Sequence, residues 1–321
     1  MLLAHFQHVF MTILPVFLVI GLGYLAFKHQ VIPENGHRAL AAFVFNVGLP
    51  AAIFSALSTK PLEEIWNTSY ILAYTLGSLL AFSLVVAYSV VALKKRAVEG
   101  VVLGLGGSFS NSLLIGFPII FFLFGSQALV PFSLTLVVEN LIMLPLLLGL
   151  ADMTSSKGTL SLKQQLRSAV LNLGKNPIVL SIALGMAVSA MSIPTPDTAT
   201  RIIDMLASTV TGVALFTIGG GLVGVSVTGK KKEIGTVMLA KLIIHPMALL
   251  LMLLVWFDLE PTMAAVAVIL ASMPMFGVYA VIGQKYNMGG LCSAVLLPTT
   301  LVAMVSVSVI TTVALTIFAL N

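Results

Sequence analysis

Most of the charge in this chain lies between ten long apolar runs, and that pattern leaves few ways to fold. The runs lie near 9 to 27, 38 to 57, 69 to 93, 100 to 124, 128 to 151, 168 to 192, 201 to 225, 234 to 257, 262 to 284 and 290 to 319, designated M1 to M10. About 20 helical residues cross a hydrocarbon core about 30 Å thick, so each run has the length of a transmembrane helix. A water-soluble domain is excluded, because 16 Lys and Arg with 11 Asp and Glu among 321 residues, 59% of them apolar, cannot solvate a surface. Stretches such as 141–150 are continuously apolar rather than alternating, which excludes a β-barrel. M1 has no Lys or Arg before it and Lys28 after it, the reverse of a signal peptide, and is read as a retained helix.

Orientation follows from the basic residues. Apart from Lys241, inside M8, thirteen lie in the odd-to-even connections: Lys28, Arg38, Lys94, Lys95, Arg96, Lys157, Lys163, Arg167, Lys175, Lys230, Lys231, Lys232 and Lys285. Only Lys60 and Arg201 lie on the other side. The imbalance predicts an even number of spans, those loops in the cytoplasm and both termini on the outer, periplasmic side of an inner membrane. The net charge of +5 therefore orients the chain and does not point to nucleic acid. Cys292 is the only cysteine, so an intramolecular disulfide and a Cys-based metal site are excluded.

An offset of 162 residues lays Pro15 on Pro177, Gly23 on Gly185, and M2 to M5 on M7 to M10 without a gap. Five spans repeated in tandem must adopt opposite orientations. The expected fold is thus all-α and polytopic: ten transmembrane helices as two inverted five-helix repeats, 1–153 and 168–321, joined by a cytoplasmic linker at 154–167. Such folds bind substrate where paired helices break near the midplane. In M4, Gly104, Gly106, Gly107, Gly116 and Pro118 surround Ser108, Ser110, Asn111 and Ser112; in M9, Pro274 and Gly277 interrupt the run to Tyr279. Ser112 falls on Pro274 at the repeat offset, which sets both breaks at one depth. Half-helix N-termini facing one cavity favour an anion, and Asn111 and Ser112 supply neutral donors to a carboxylate.

Ionisable residues at membrane depth are functional candidates. Glu139, beside Asn140 in M5, is either a proton carrier, part of a Na⁺ site with Asn140 and nearby hydroxyls, or a structural partner of Lys241 or His245. Lys241 and His245 share one face of M8 just before Pro246, with Lys241 close enough to the basic end to snorkel there. Asn46 in M2 either lines the cavity or bonds a carbonyl released by Pro50. Thr209, Thr211, Thr217 and Gly219 to Gly221 in M7 read as a close-packing surface. Enzyme motifs are lacking: no HExxH, GxSxG, Walker A or Cys/His metal pattern occurs, and no cofactor is expected.

Four stretches, Phe45-Asn-Val-Gly-Leu-Pro50, Ser110-Asn-Ser-Leu-Leu-Ile-Gly-Phe-Pro118, Lys241-Leu-Ile-Ile-His-Pro246 and Ala271-Ser-Met-Pro-Met-Phe-Gly-Val-Tyr-Ala280, in this order across ten spans, resemble the auxin efflux carrier family, the plant PIN carriers and their bacterial relatives. The resemblance implies a scaffold domain of M1, M2, M6 and M7 and a transport domain of M3 to M5 and M8 to M10 with crossing M4 and M9. It further implies elevator-like movement, a homodimer through the scaffold, and small organic anions as substrates: auxin for the plant proteins, malonate or malate for some bacterial ones. Asn111 matches the family's crossover asparagine. Met273 and Met275 flank Pro274 where the plant pattern has an asparagine, and about 15 residues replace the long plant loop between M5 and M6, which points away from auxin and toward a bacterial form. The expected function is secondary transport of a mono- or dicarboxylate, coupled to H⁺ or Na⁺, through Ser110, Asn111, Ser112, Pro118, Pro274, Gly277, Tyr279 and Asn46, with Glu139, Asn140, His245 and Lys241 as coupling candidates. A passive anion channel or uniporter is the alternative, disfavoured because the polar residues are isolated rather than in rings.

Overall fold

A computed structural model describes residues 2–33, 35–61, 65–155, 174–224 and 231–320, with side chains from Phe6 onward. Most of the linker at 154–167, with Lys157, Lys163 and Arg167, lies outside the described residues, as do Lys230 and the first residues of the M6 run. The described residues are helical: M1 is α1 (Leu2–Lys28), M2 α2 (Gly36–Phe43) and α3 (Leu49–Ser58), M3 α4 (Thr68–Val91), M4 α5 (Ala97–Ser108) and α6 (Phe117–Phe124), M5 α7 (Leu129–Val137) and α8 (Leu144–Thr154), M6 α9 (Pro177–Ala190), M7 α10 (Asp197–Ser208) and α11 (Val210–Gly221), M8 α12 (Lys231–Leu239) and α13 (His245–Val255), M9 α14 (Pro261–Ser272) and α15 (Tyr279–Lys285), and M10 α16 (Gly289–Ile317). Among the described residues, seven stretches are long and apolar enough to cross a membrane, and α5, α9 and α14 are shorter apolar helices. Leu18, Leu22, Leu72, Leu76, Leu251, Leu254, Leu301 and Val305 stand exposed on them, an outer surface that only lipid can solvate. The chain is a multi-pass membrane protein.

Sequence sets the helix starts. Asn67 opens M3 by accepting the Tyr70 N–H at 2.9 Å, Asn176 opens M6 on Ile178 N–H, and Glu260 takes the N–H groups of Thr262 and Met263 ahead of Pro261. Four spans, M2, M4, M5 and M8, contain a wide turn at Val44–Gly48, Ser112–Gly116, Val138–Met143 and Ala240–Ile244. Each is followed two residues on by a proline: Pro50, Pro118, Pro145 and Pro246. A helical proline offers no N–H and its ring crowds the carbonyl four residues back. Here the residue before each proline reaches five residues back instead, as in Phe117 N–H to Ser112 O and His245 N–H to Ala240 O, and the helix widens rather than ending.

M1 packs on M7 and M2 on M6, while M3 packs on M4 and M8, and M9 on M8 and M10; the two groups meet through M1 with M10, M7 with M4 and M2 with M5. The M1 and M7 contact is backbone on backbone. A Cβ at Gly23 would fall on the Phe216 carbonyl and one at Gly219 on the Ile20 carbonyl, so the small residues of M7 serve close packing as expected. The M4 glycines are notches too. A Cβ at Gly104 would meet Phe82 at 2.8 Å, and one at Gly106 the Tyr279 hydroxyl at 2.6 Å.

Candidate functional site

Both helices expected to break do so, and the breaks meet. In M4, α5 ends at Ser108 and the helix resumes at Ser112; in M9, α14 ends at Ser272 and α15 starts at Tyr279. Ser110 and Met275 form an antiparallel bridge, and the Asn111 N–H donates to Pro274 O at 2.8 Å. Backbone groups freed by each break are thus partly satisfied by the other. The rings of Phe109 and Phe276 lie 4.2 Å apart beside this bridge. Asn111 also caps the resumed helix, its Oδ1 accepting from Leu114 N–H at 3.2 Å, which directs its amide nitrogen away from that helix. Pro118 is buried in the first turn of α6, whereas Gly277 is exposed and has open space where a Cβ would be.

Two polar groups flank the bridge. On the M5 side, Glu139 Oε1 accepts from Ser112 Oγ at 2.7 Å and from Tyr74 OH at 3.0 Å, all three residues being buried. One turn along M3, Tyr70 pairs with Thr135 at 2.7 Å. On the M8 side, Lys241 Nζ donates to Ser110 Oγ at 2.9 Å, Ala271 O at 2.6 Å and His245 Nδ1 at 2.8 Å. An ammonium has only donors, so Nδ1 accepts; Nε2 then carries the imidazole proton and donates to Ser78 Oγ at 2.9 Å. All three ammonium hydrogens have acceptors, which is how a charge is kept inside a helix bundle without a carboxylate in contact. Ala271 lies at the C-terminal end of α14, where the carbonyls left by the break carry partial negative charge.

Several expectations change. Lys241 does not snorkel: it is fully buried, because the wide turn at Ala240–Ile244 aims it at the breaks rather than along the helix to the basic end. Neither Lys241 nor His245 forms an ion pair with Glu139 among the described residues. Asn140 turns its amide onto Leu136 O at 3.0 Å, within its own helix, and contributes nothing to the Glu139 cluster. Asn46 stands exposed on M2 and bonds Ala42 O at 2.8 Å, a carbonyl near the end of α2 rather than the one released by Pro50. Tyr279 is fully buried, its ring against Gly106 and its hydroxyl beside Cys292, away from the polar groups at the breaks. Tyr74 and Ser78 were not anticipated. The spacing of Tyr70, Tyr74 and Ser78, four residues apart on one face of M3, is the signal that could have found them.

Comparison with known proteins finds membrane transporters. The chain is 29% identical over 301 residues, 92% of either protein, to the "Putative malonate transporter" of Rhizobium meliloti (strain 1021). It is 26% identical over 245 residues, 74% of this chain and 76% of the other, to the uncharacterized transporter YfdV of Escherichia coli (strain K12). Residues 8–311 match the family described as membrane transport protein, and the chain belongs to that family, the auxin efflux carriers.

Proposed function

We propose that the protein is a secondary transporter of small organic anions, carrying a mono- or dicarboxylate of the malonate kind through the place where M4 and M9 break. The observation that carries this reading is the joining of the two breaks by Asn111 N–H to Pro274 O and by the Ser110 bridge, with the Lys241 ammonium directly behind. A carboxylate arriving there meets the Asn111 amide nitrogen, open space at Gly277 and a positive potential that a low-dielectric surrounding does not screen. The name of the Rhizobium relative supports malonate as the first substrate to try.

The grouping of contacts supports a scaffold of M1, M2, M6 and M7 against a transport domain of M3 to M5 and M8 to M10, moving as an elevator. The 162-residue offset supports two inverted repeats, since it lays Ser112, where M4 resumes its helix, on Pro274 inside the M9 break. Coupling is assigned to Glu139 with Ser112 and Tyr74, where a carboxylate that gains a proton exchanges acceptors for a donor. A Na⁺ site at the same carboxylate would draw on the Ser112 and Tyr74 oxygens, without Asn140. A homodimer through the scaffold and an inner-membrane location with outer termini complete the proposal.

The test is carboxylate binding and counterflow in proteoliposomes, with malonate, malate and indole-acetate, with and without Na⁺ and at two pH values. Asn111→Asp keeps the cap on Leu114 and replaces the amide donor with an acceptor, so it should remain folded and lose anion affinity. Asn111→Ala also loses the cap, at a cost of about 1 kcal/mol. Unchanged affinity in folded Asn111→Asp would refute the site, and non-saturating flux would replace the carrier with a channel.

A further inference from the structure

Between M3 and M8, at the end carrying Lys94, Lys95, Lys231 and Lys232, the surface opens into a groove of about 580 Å³. Leu84 and Tyr88 of M3 and Leu239 of M8 form its walls, Val85 and Ala240 its floor, and Lys232 its rim. From Lys232 to Ile244 the lining follows twelve helical residues, about 18 Å at 1.5 Å each. Half of a bilayer core is about 15 Å, so the groove has the depth of one leaflet. Its mouth is basic and carries the half-exposed Tyr88 ring, the arrangement of a membrane interface, while the remainder is apolar apart from Thr236, whose hydroxyl bonds Lys232 O.

We propose that this groove binds an anionic phospholipid of the leaflet on the lysine-rich side, its phosphate at Lys232 and one acyl chain lying over Gly235 and Leu239 against the floor. The occupant follows from charge and shape together. A soluble anion would leave the apolar length along Leu84, Gly235 and Leu239 unfilled, and an apolar partner surface would not use the lysine at the rim. Nearby Lys95 is paired with Glu233 at 2.5 Å, and among the described residues of the M8 end Lys231 and Lys232 are exposed.

The floor gives such a lipid a consequence. A Cβ at Gly107 would meet Ala240 Cβ and Val85 Cγ2 at 3.0 Å each, so the floor lies against the last turn of α5, just before the M4 break. Ala240 also precedes Lys241, which bonds Ser110 and Ala271. A chain seated in the groove supports this wall from the lipid side, so occupancy should stiffen the region of the two breaks.

The experiment is native mass spectrometry of the purified full chain with phosphatidylglycerol or phosphatidylcholine of identical acyl chains, with thermal melting as the folding readout. The wild type should retain phosphatidylglycerol in preference. Lys232→Gln should reduce that preference about fivefold, the effect of one basic residue at an anionic surface. Gly235→Leu places its side chain where nothing lies within 4 Å of a Cβ, so it should fold, fill the groove and lose retention of both lipids. Gly212→Leu on M7, equally open, should behave as wild type. Equal retention of the two lipids by wild type, wild-type retention by folded Gly235→Leu, or equal stabilisation by inorganic phosphate would each overturn the proposal. So would a dimer lost in Gly235→Leu with lipid retention unchanged, since the groove would then be a protein interface. None of these outcomes depends on the transport assays.

Discussion

Glu139 offers a measurement in which the size of one hydrogen bond reports a charge. Tyr74 OH and Ser112 Oγ both donate to the same oxygen, Oε1, at 3.0 and 2.7 Å, in a fully buried setting. Two donors on one oxygen suit a carboxylate, which only accepts. Removing one by Tyr74→Phe should cost about 1.5–3 kcal/mol if the acceptor is charged. Neutral bonds between membrane helices average about 0.6 kcal/mol, because the unfolded chain in the membrane finds other partners. The perturbation is therefore a double-mutant cycle of Tyr74→Phe with Glu139→Gln, in which the amide oxygen still accepts but carries no charge. The assay is equilibrium unfolding in mixed micelles near neutral pH, followed by tryptophan fluorescence. The expected coupling energy is about 1.5 kcal/mol, roughly tenfold in the unfolding constant. It should shrink toward the neutral value in acid, since a protonated carboxyl gives up acceptor capacity. A coupling below about 0.5 kcal/mol at neutral pH, unchanged by acid, would refute the reasoning and remove Glu139 as the coupling group.

Three further outcomes are expected. Lys241→Met leaves Ser110, His245 and the Ala271 carbonyl without their donor, and although it also removes a buried charge it should destabilise by about 2–4 kcal/mol; the added substitution His245→Leu should recover part of this, as denaturation of both variants would reveal. Gly219→Val must push apart the backbones of M1 and M7, because the obstacle is the Ile20 carbonyl and not a flexible side chain; a loss of about 3 kcal/mol or more should appear as aggregated protein on size exclusion, while Gly212→Ala stays monodisperse. At the connection between M9 and M10, burial, then the hydrogen bond to Asp152 at 2.7 Å and its charge, hold the Tyr286 phenol above its ordinary range. An unfolded tyrosine deprotonates near pH 10, so this contribution is complete below about pH 10 and lost above it; melting across alkaline pH should fall less steeply in Tyr286→Phe than in wild type.

The membrane fold was legible because lipid demands long apolar runs and paired backbone groups, and few structures meet both demands. The breaks in M4 and M9 were legible from position and not from residue type: Ser112 beside Asn111 falls on Pro274 at the 162-residue offset, which sets both at one depth. What the sequence left hidden lies between helices. Tyr74 and Ser78 look like ordinary M3 residues until M5 brings Glu139 to one and M8 brings His245 to the other. Lys241 was misjudged because snorkelling was reasoned from a regular helix, where seven residues from the end leaves a lysine within reach of the interface. The M4 glycines were grouped with the break by sequence, whereas the positions of Phe82, Tyr279 and Ala240 make Gly104, Gly106 and Gly107 packing notches.

The prolines connect these observations. Pro15 and Pro298 lie inside uninterrupted helices, so proline alone does not widen a span. Where Pro50, Pro118, Pro145 and Pro246 follow a wide turn, that turn contains Asn46, Ser112, Glu139 with Asn140, and Lys241, every one a polar residue in an otherwise apolar segment. A wide turn inserts one residue into the helical register and rotates the side chains that follow by about 100°. On M4, M5 and M8 it turns Ser112, Glu139 and Lys241 inward toward the breaks; on M2 it leaves Asn46 on the exposed surface. The three inward turns belong to the group of helices that holds both breaks, and the outward one to the group formed by M1, M2, M6 and M7. Replacing Pro145 or Pro246 by Ala restores a donor and removes the crowding that favours the wide turn, so a regular helix should become competitive there. Its reversion would carry Glu139 or Lys241 off the cluster. Loss of transport in a Pro246→Ala protein that melts no lower than wild type would therefore mark the turn as the device that aims Lys241, and unaltered transport would mark it as a by-product of the proline.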